Sequence, residues 1–248
     1  TGFICEDQSP VSYFGLDEES GNVAHDYSGN GNDGALAGTT WDGLAKVGVG
    51  SLFFDGSGDY IQVSTDDLSN KKGTVAMWIR PKGWSGGTNA GYGLFQTQSG
   101  VNSSNWISLF KWYGDIFYFR LGSSASCCGN DLTFSPSPYI SDGQWTHVAA
   151  TWDQKEDSMK VYMNGNLVAS RTNVNWSGGG LHSLARVGQG HDAYFRGNMD
   201  DVALYGRALS ATEIADLKNS SVPAEHVNLE RCDGKDNNCS GGVDETYP

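Results

Sequence analysis

Residues 26–34 read DYSGNGNDG, a stretch that concentrates oxygen-bearing side chains and glycine. Two Asp, two Asn and three Gly in nine positions disfavour both a helix and a strand. This composition is typical of a surface turn, in which Gly supplies positive φ angles and Asn or Asp bonds its own backbone. It also fits a loop around a hard cation, because calcium needs several oxygens that converge on one point.

A second set of oxygen ligands lies in the segment CDGKDNNCSGGVDETYP, residues 232–248. Its acidic, amide and hydroxyl side chains alternate as in a calcium loop, with glycine at the place where such loops turn sharply. The predicted ligands are Asp233 or Asp236, Asn238, Ser240, Asp244 and Glu245. The alternative is a disordered acidic tail that carries only a disulfide.

Aromatic side chains beside Gly-rich and Asn-rich loops are the candidates for carbohydrate binding, because sugars stack on rings while their hydroxyls meet polar loops. These candidates are Trp84, Tyr92, Trp106, Trp112, Tyr113 and Trp176. The alternative is that the rings fill the core, which is the favoured interpretation for the tryptophans inside strand-like runs.

The sequence contains no recognisable set of catalytic residues. The Glu-x-Asp-x-x-Glu spacing that would place paired carboxylates of a glycosidase on one strand face is absent. The five His show no zinc-ligand spacing, and no Gly-x-Ser-x-Gly elbow occurs. The sequence therefore predicts that the protein is not an enzyme.

Charge and composition exclude some classes of partner and indicate where the protein acts. The 29 acidic residues against 16 basic ones give a formal charge of -13, which argues against nucleic acid. No apolar run approaches the roughly 20 residues of a membrane span. Four sequons, Asn102, Asn175, Asn219 and Asn238, permit glycosylation in an export pathway. A secreted or cell-surface location is expected.

The cysteine count leaves the disulfide pattern open. Five Cys suggest an oxidising compartment if they pair, but the odd number leaves at least one thiol free or bound to another chain. The pairing of Cys5, Cys127 and Cys128 cannot be read from counting.

The elements that must position these residues are mostly strands. Short runs rich in Val, Ile, Tyr, Phe and Trp recur between turn residues, which predicts an all-β antiparallel sandwich. Asn164-Gly165 predicts a hairpin turn. Ser210, with Glu213 three residues on, predicts a capped helix over 210–218. A boundary near residue 222 would separate this sandwich, 1–222, from the Cys-bounded segment, 223–248.

The ordered blocks DYSGNGNDGALAG, SLFFDGSGDYIQVS, TVAMWIRP, GQWTHVAATWD, MKVYMNGNLVAS and GNMDDVALYGRALSATEI resemble the laminin G-like, concanavalin A-like jelly-roll family over about residues 11–218. The resemblance implies an extracellular recognition module, often with calcium at the sandwich rim. It assigns Asp26, Asn30 and Asp200 as calcium ligands, with Asn32 and Asp201 or backbone carbonyls completing the shell. Strand alternation supports this, because it places Asp200 on the face of Val202 and Leu204, where a semi-buried carboxylate needs a partner.

The C-terminal segment resembles a Cys-flanked metal-binding motif of secreted microbial proteins, although Asn238 and Ser240 stand where Asp is usual. A disulfide between Cys232 and Cys239 would close its loop, because so short a segment has no core of its own. The predicted function is a secreted, calcium-binding, lectin-like module for glycans or cell-surface polymers. The alternative is a structural subunit of a fibre, surface layer or adhesin that self-associates.

Overall fold

The computed structural model of the chain describes residues 9–84, 91–97, 105–123, 126–174 and 180–219, which form two packed antiparallel sheets. The strands are β1 Ser12–Phe14, β2 Val23–Ala24, β3 Gly34–Ala37, β4 Thr40–Asp42, β5 Ser51–Asp55, β6 Tyr60–Ser64, β7 Lys72–Pro81, β8 Tyr92–Thr97, β9 Asn105–Trp112, β10 Ile116–Ser123, β11 Ser126–Phe134, β12 Thr146–Asp153, β13 Ser158–Met163, β14 Asn166–Arg171, β15 Leu184–Val187, β16 Gln189–Gly190, β17 Ala193–Tyr194 and β18 Arg196–Tyr205, and the helix is α1 Ala211–Asn219.

The first sheet has the order β14-β13-β12-β7-β18-β5-β4, and β1 also pairs with β18. The second has the order β11-β10-β9-β8-β15-β6-β3-β2, and β16 and β17 form a separate small hairpin. The core lies between the two large sheets. In β7, for example, Val75, Met77 and Ile79 belong to the core while the residues between them face outward. The predicted antiparallel sandwich is confirmed.

The predicted hairpin joins β13 to β14. Asn164 and Gly165 form its two-residue turn, and both have positive φ angles, 51° and 82°. Two positive φ angles define the turn that matches the twist of paired strands, and Asn-Gly is its preferred sequence.

The predicted helix is also confirmed, as α1. The Ser210 N–H donates to the Glu213 carboxylate at 2.7 Å, and the Glu213 N–H donates to the Ser210 hydroxyl at 3.3 Å, so the two residues form a capping box. Ile214 is fully buried and packs with Tyr162 and Tyr205 on the outer face of the first sheet. Within the described residues no helix is long and apolar enough to cross a membrane.

Ser210→Ala is expected to lower the free energy of unfolding by about 1 kcal/mol, because the Glu213 N–H loses its capping acceptor. Urea denaturation measures this loss. Ser183→Ala, at an exposed position in the loop before β15, is the matched control and should change the free energy by less than about 0.5 kcal/mol. Equal losses in the two variants would contradict the assignment of the cap.

Candidate functional site

The carboxylate of Asp26 organises the 26–34 loop. Its Oδ1 accepts the backbone N–H groups of Tyr13 and Ser28, both at 2.9 Å. Its Oδ2 accepts the Asn32 N–H and the Ser28 hydroxyl, both at 2.8 Å. These four donors belong to the chain itself, so the network has the form expected of a side-chain-stabilised turn.

The two predicted amide ligands of this loop also bond the chain. Asn30 and Asn32 each donate a side-chain N–H to the Val11 carbonyl, at 3.1 and 2.9 Å. The loop is thereby tied to the start of β1.

Asp200 and Asp201 lie at a β-bulge in β18. The pairing of β18 with β7 shifts register between Asp200 and Ala203, and Asp201 has a φ of 47°. Met199 and Val202 both belong to the core, so the two aspartates lie between two inward-facing residues. The prediction that Asp200 shares a face with Val202 is wrong, because the bulge inserts an extra residue and resets the alternation.

The burial predicted for Asp200 is confirmed, since its residue exposure is 0%. Its carboxylate accepts the backbone N–H groups of Lys46, Val47 and Asp201 at 2.7, 3.0 and 2.9 Å. Burial raises the pKa of Asp200, and the neighbouring charges of Asp201 and Asp17 raise it further. Two of these three donors come from the loop between β4 and β5, the third is Asp201 itself, and none of the three belongs to residues 26–34.

Tyr13 links the two predicted halves of the calcium site. Its N–H donates to Asp26, while its hydroxyl donates to Asp201. Within the described residues, no three His, Cys, Asp or Glu side chains are grouped so that they could hold a metal ion. Because the chain's own donors occupy Asp26 and Asp200, these residues do not fit a preformed cation shell, and the shared calcium site stays a prediction.

Trp84 and Tyr92, two of the predicted sugar platforms, lie in the core. They are only 4% and 3% exposed, and their ring centroids are 4.8 Å apart. The backbone N–H of Trp84 donates to the Asp142 carboxylate at 2.8 Å. The Nζ of buried Lys111 lies 5.7 and 5.6 Å from the two ring centroids. Rings buried to this extent offer no free face to a sugar, so the core interpretation holds for both.

The other described aromatic candidates lie along β9 and in the turn that follows it. Trp106 and Trp112 are half-buried, and Tyr113 is 49% exposed. Trp106 pairs across the strands with Gly122, where a Cβ would come within 2.1 Å of the indole, so the ring rests against that glycine. Trp112 contacts the ring of Tyr113 at a centroid distance of 4.5 Å.

A row of polar side chains crosses the outer face of the second sheet. Cross-strand pairing joins its members in register from β6 to β11, and each pairs directly with the next. The members, which we call the polar row, are Gln62, Arg186, Gln96, Ser108, Arg120 and Asp131. Because the partners in a pair share one face of a sheet, the row is continuous across six strands.

The polar row is not among the sites predicted from the sequence. The sequence carries one local signal of the row, because most members are single polar residues between two inward-facing apolar residues. Ser108, for example, lies between Ile107 and Leu109. That alternation shows that a residue faces outward, but it does not show which strands are neighbours.

The Arg120–Asp131 pair anchors one end of the row. The guanidinium meets the carboxylate with two bonds, of 2.6 and 2.8 Å, and the two side chains are only 9% and 20% exposed. The guanidinium carbon also lies 5.3 Å from the ring centroid of Phe110 and 5.7 Å from that of Tyr118. The pair is therefore rigid, and its charges are matched.

The centre of the row is held just as firmly. Gln96 Oε1 accepts the Ser108 hydroxyl at 3.2 Å and the His191 N–H at 2.5 Å. Arg186 donates to Gln189 at 2.6 Å, and its guanidinium carbon lies 4.1 Å from the Tyr60 ring centroid. Gln62, Gln96, Arg186 and Asp131 are half-buried. The row thus combines fixed geometry with access for a ligand.

Several predicted residues lie outside the described part of the chain. They are Trp176, the sequons Asn102, Asn175 and Asn238, the tail ligands Asp233, Asp236, Ser240, Asp244 and Glu245, and the predicted Cys232–Cys239 bridge. The remaining sequon residue, Asn219, is exposed at the end of α1.

Sequence comparison identifies two matching families. A sequence model of the concanavalin A-like lectin/glucanases superfamily matches residues 55–215, and one described as "Putative metal-binding motif" matches residues 220–245. Neuronal pentraxin-2 of Homo sapiens is 24% identical over 159 residues, covering 60% of this chain and 34% of that protein. Pappalysin-1 of Mus musculus is 26% identical over 179 residues, covering 66% and 11%. The chain thus spans about a third or less of these relatives.

Solved structures with a similar fold include two sugar complexes. Domain 4 of AbnA, a GH43 extracellular arabinanase from Geobacillus stearothermophilus in complex with arabinotriose, has a TM-score of 0.64 and 23% identity, covering 86% of this chain and 100% of that one. The botulinum neurotoxin serotype D ligand-binding domain in complex with N-acetylneuraminic acid has a TM-score of 0.65 and 19% identity, covering 85% and 50%. At these identities the likeness shows the fold alone.

The antiparallel sandwich and the family match agree. The match covers more than half of the 248 residues, and the resemblance seen in the sequence is confirmed. The chain belongs to the concanavalin A-like lectin/glucanases superfamily.

Proposed function

We propose that this protein is a secreted carbohydrate-binding module whose ligand lies on the outer face of the second sheet. The observation that carries the proposal is the polar row, together with the rings of Trp106 and Trp112 on the same face of β9. Two proteins with a similar fold bind sugars, arabinotriose and N-acetylneuraminic acid, which supports this class of ligand.

The chemistry of the row suits a sugar. Amide, hydroxyl and guanidinium groups supply donors and acceptors for sugar hydroxyls, and their mutual hydrogen bonds hold them in place before a ligand arrives. The Arg120–Asp131 pair brings no net charge. Arg186 adds one positive charge that no other member of the row matches, so the face favours a ligand that offers many hydroxyls and few charges.

The two aromatic positions set the length of the site. Trp106 and Trp112 are six residues apart on one strand, which corresponds to about 20 Å at the rise of a β-strand. The exposed ring of Tyr113 extends the second platform. A span of this length suits an oligosaccharide rather than a single sugar.

We propose that the module binds without catalysis. Glycosidases need two carboxyl groups that flank the scissile bond. The polar row contains a single carboxylate, Asp131, and it forms an ion pair with Arg120. Purified protein incubated with the polysaccharides that it binds is expected to release no reducing sugar, and turnover above that of a heat-denatured sample would contradict this.

We further propose that calcium binds the C-terminal segment, through Asp233 or Asp236, Asn238, Ser240, Asp244 and Glu245. The metal-binding motif matched at residues 220–245 supports this, and the choice of calcium rests on the all-oxygen ligand set. A second calcium between the 26–34 loop and Asp200 remains the prediction made from the family resemblance.

Calorimetric titration of the full chain tests both calcium sites. The Asp236→Asn/Glu245→Gln variant is expected to bind one calcium fewer than the wild type, and Asp200→Ala tests the second site separately. EDTA should lower the melting temperature of the wild type, because the ion binds the folded state preferentially. Equal numbers of calcium ions bound by the wild type and by this variant would contradict calcium binding by the C-terminal segment.

A glycan array tests the function itself. The protein is expected to bind a defined set of oligosaccharides and to bind the matching monosaccharides weakly. A parallel array in EDTA shows whether calcium contributes. Failure to bind any glycan, by protein that melts cooperatively, would contradict the proposal.

A further inference from the structure

A basic groove lies at one end of the first sheet, on a chain whose formal charge is -13. The groove has a volume of about 670 Å³ and runs between the start of β7, the β12–β13 turn and the segment before α1. Its charged lining residues are Lys71, Lys72, Lys155, Arg207, Asp153 and Glu156. Four cations against two carboxylates make it locally positive, which is unusual on so acidic a protein.

The backbone of the groove is fixed by hydrogen bonds. The Gln154 N–H donates to the Lys71 carbonyl at 2.7 Å, which joins two of the three segments. The Asp153 carboxylate accepts the N–H groups of Lys155 and Glu156 at 2.8 and 3.1 Å, which shapes the turn. The indole N–H of Trp152 donates to the Ser69 carbonyl at 3.0 Å. The lysines therefore project from an ordered frame.

Three of the four cations in the groove form no ion pair in the described part of the chain. Arg207 forms an ion pair with Glu213 at 2.6 Å. Lys71, Lys72 and Lys155 are exposed, and in the described part of the chain none of them lies within 4.0 Å of a carboxylate oxygen. Against Asp153 and Glu156, the three lysines leave the groove with a small net positive charge, which favours an anionic ligand.

We propose that this groove binds a polysaccharide that carries carboxylate groups, such as a polyuronate, as a second site separate from the polar row. The lysines would meet the carboxylates, while Ser69 and Gln154 would meet hydroxyl groups.

The composition of the groove argues against nucleic acid. Among the described residues that line it there is no aromatic ring on which a base could stack. The groove shares no residue with the polar row, so either site can fail without the other.

Binding of polygalacturonate to the full chain at low salt tests the proposal. The Lys71→Gln/Lys155→Gln variant is expected to bind about tenfold more weakly than the wild type, because it removes two of the three free cations. Lys160→Gln/Lys218→Gln, with the same change of net charge outside the groove, is the matched control and should stay within about twofold of the wild type. Glu156→Gln should bind more tightly.

Three results would overturn the proposal. They are the absence of polygalacturonate binding by the wild type, equal losses in the groove variant and the control variant, and binding of an oligodeoxythymidine with the same dependence on Lys71 and Lys155. The melting curve of the groove variant should match that of the wild type, since Lys71 and Lys155 are exposed. The proposed function stands or falls separately, on glycan binding that depends on Trp106 and Trp112.

Discussion

Asp131→Ala is expected to lower the free energy of unfolding by about 3 kcal/mol, because it leaves the Arg120 guanidinium buried without its carboxylate. The side chain of Arg120 is only 9% exposed, and both of its bonds to Asp131 would be lost. Urea denaturation at neutral pH measures the loss. A change below about 0.5 kcal/mol would show that the pair does not stabilise the fold.

A double variant separates stability from binding. Arg120→Met/Asp131→Leu replaces the whole pair by apolar side chains, and such replacements are often neutral or stabilising. We expect it to recover most of the stability lost in Asp131→Ala. It should nevertheless bind glycan more weakly than the wild type, because one end of the polar row has lost its donors and acceptors. Wild-type glycan affinity in this variant would show that the Arg120–Asp131 pair does not contribute to glycan binding.

Acidification is expected to destabilise the fold through His147. Burial lowers the pKa of His147 from its usual 6.5 to about 4, and the nearby charge of Lys218 adds to this effect. Between these pH values the unfolded chain binds a proton that the folded chain does not. The stability contributed by the neutral imidazole is therefore complete above pH 6.5 and is lost as the pH falls towards 4, by about 3 kcal/mol.

The difference in unfolding free energy between the wild type and His147→Phe isolates the contribution of the His147 titration. His147→Phe keeps an aromatic ring beside Trp78, whose ring centroid lies 5.2 Å from that of His147. Free energies of unfolding of the wild type and the variant, measured from pH 7 to pH 4, should diverge on acidification because only the wild type carries this titration. Parallel curves would contradict a buried, neutral His147.

The elements that could be predicted are those with local signals. The Asn164-Gly165 turn and the Ser210–Glu213 capping box depend on residues at most three positions apart, and both are present in the structure. The alternation of the strands fixed the fold class for the same reason. The bulge at Asp201 had no comparable signal, and it moved Asp200 to the outer face.

The site was less predictable because its parts are distant in sequence. Gln62 and Asp131 belong to one row only because four strands lie between them in register. Asp200 finds its donors at Lys46 and Val47, more than 150 residues earlier in the chain. Residue type alone also could not separate Trp84, which fills the core, from half-buried Trp106.

The most direct test of the proposed function is the affinity of Trp106→Ala and Trp112→Ala for the strongest ligand on the glycan array. Each variant is expected to bind at least about tenfold more weakly than the wild type, because each removes one aromatic platform beside the polar row. Trp145→Ala, which removes a half-buried indole next to β12 in the other sheet, is the control and should keep the wild-type affinity. Unchanged affinity in both site variants, or an equal loss in the control, would contradict binding on this face.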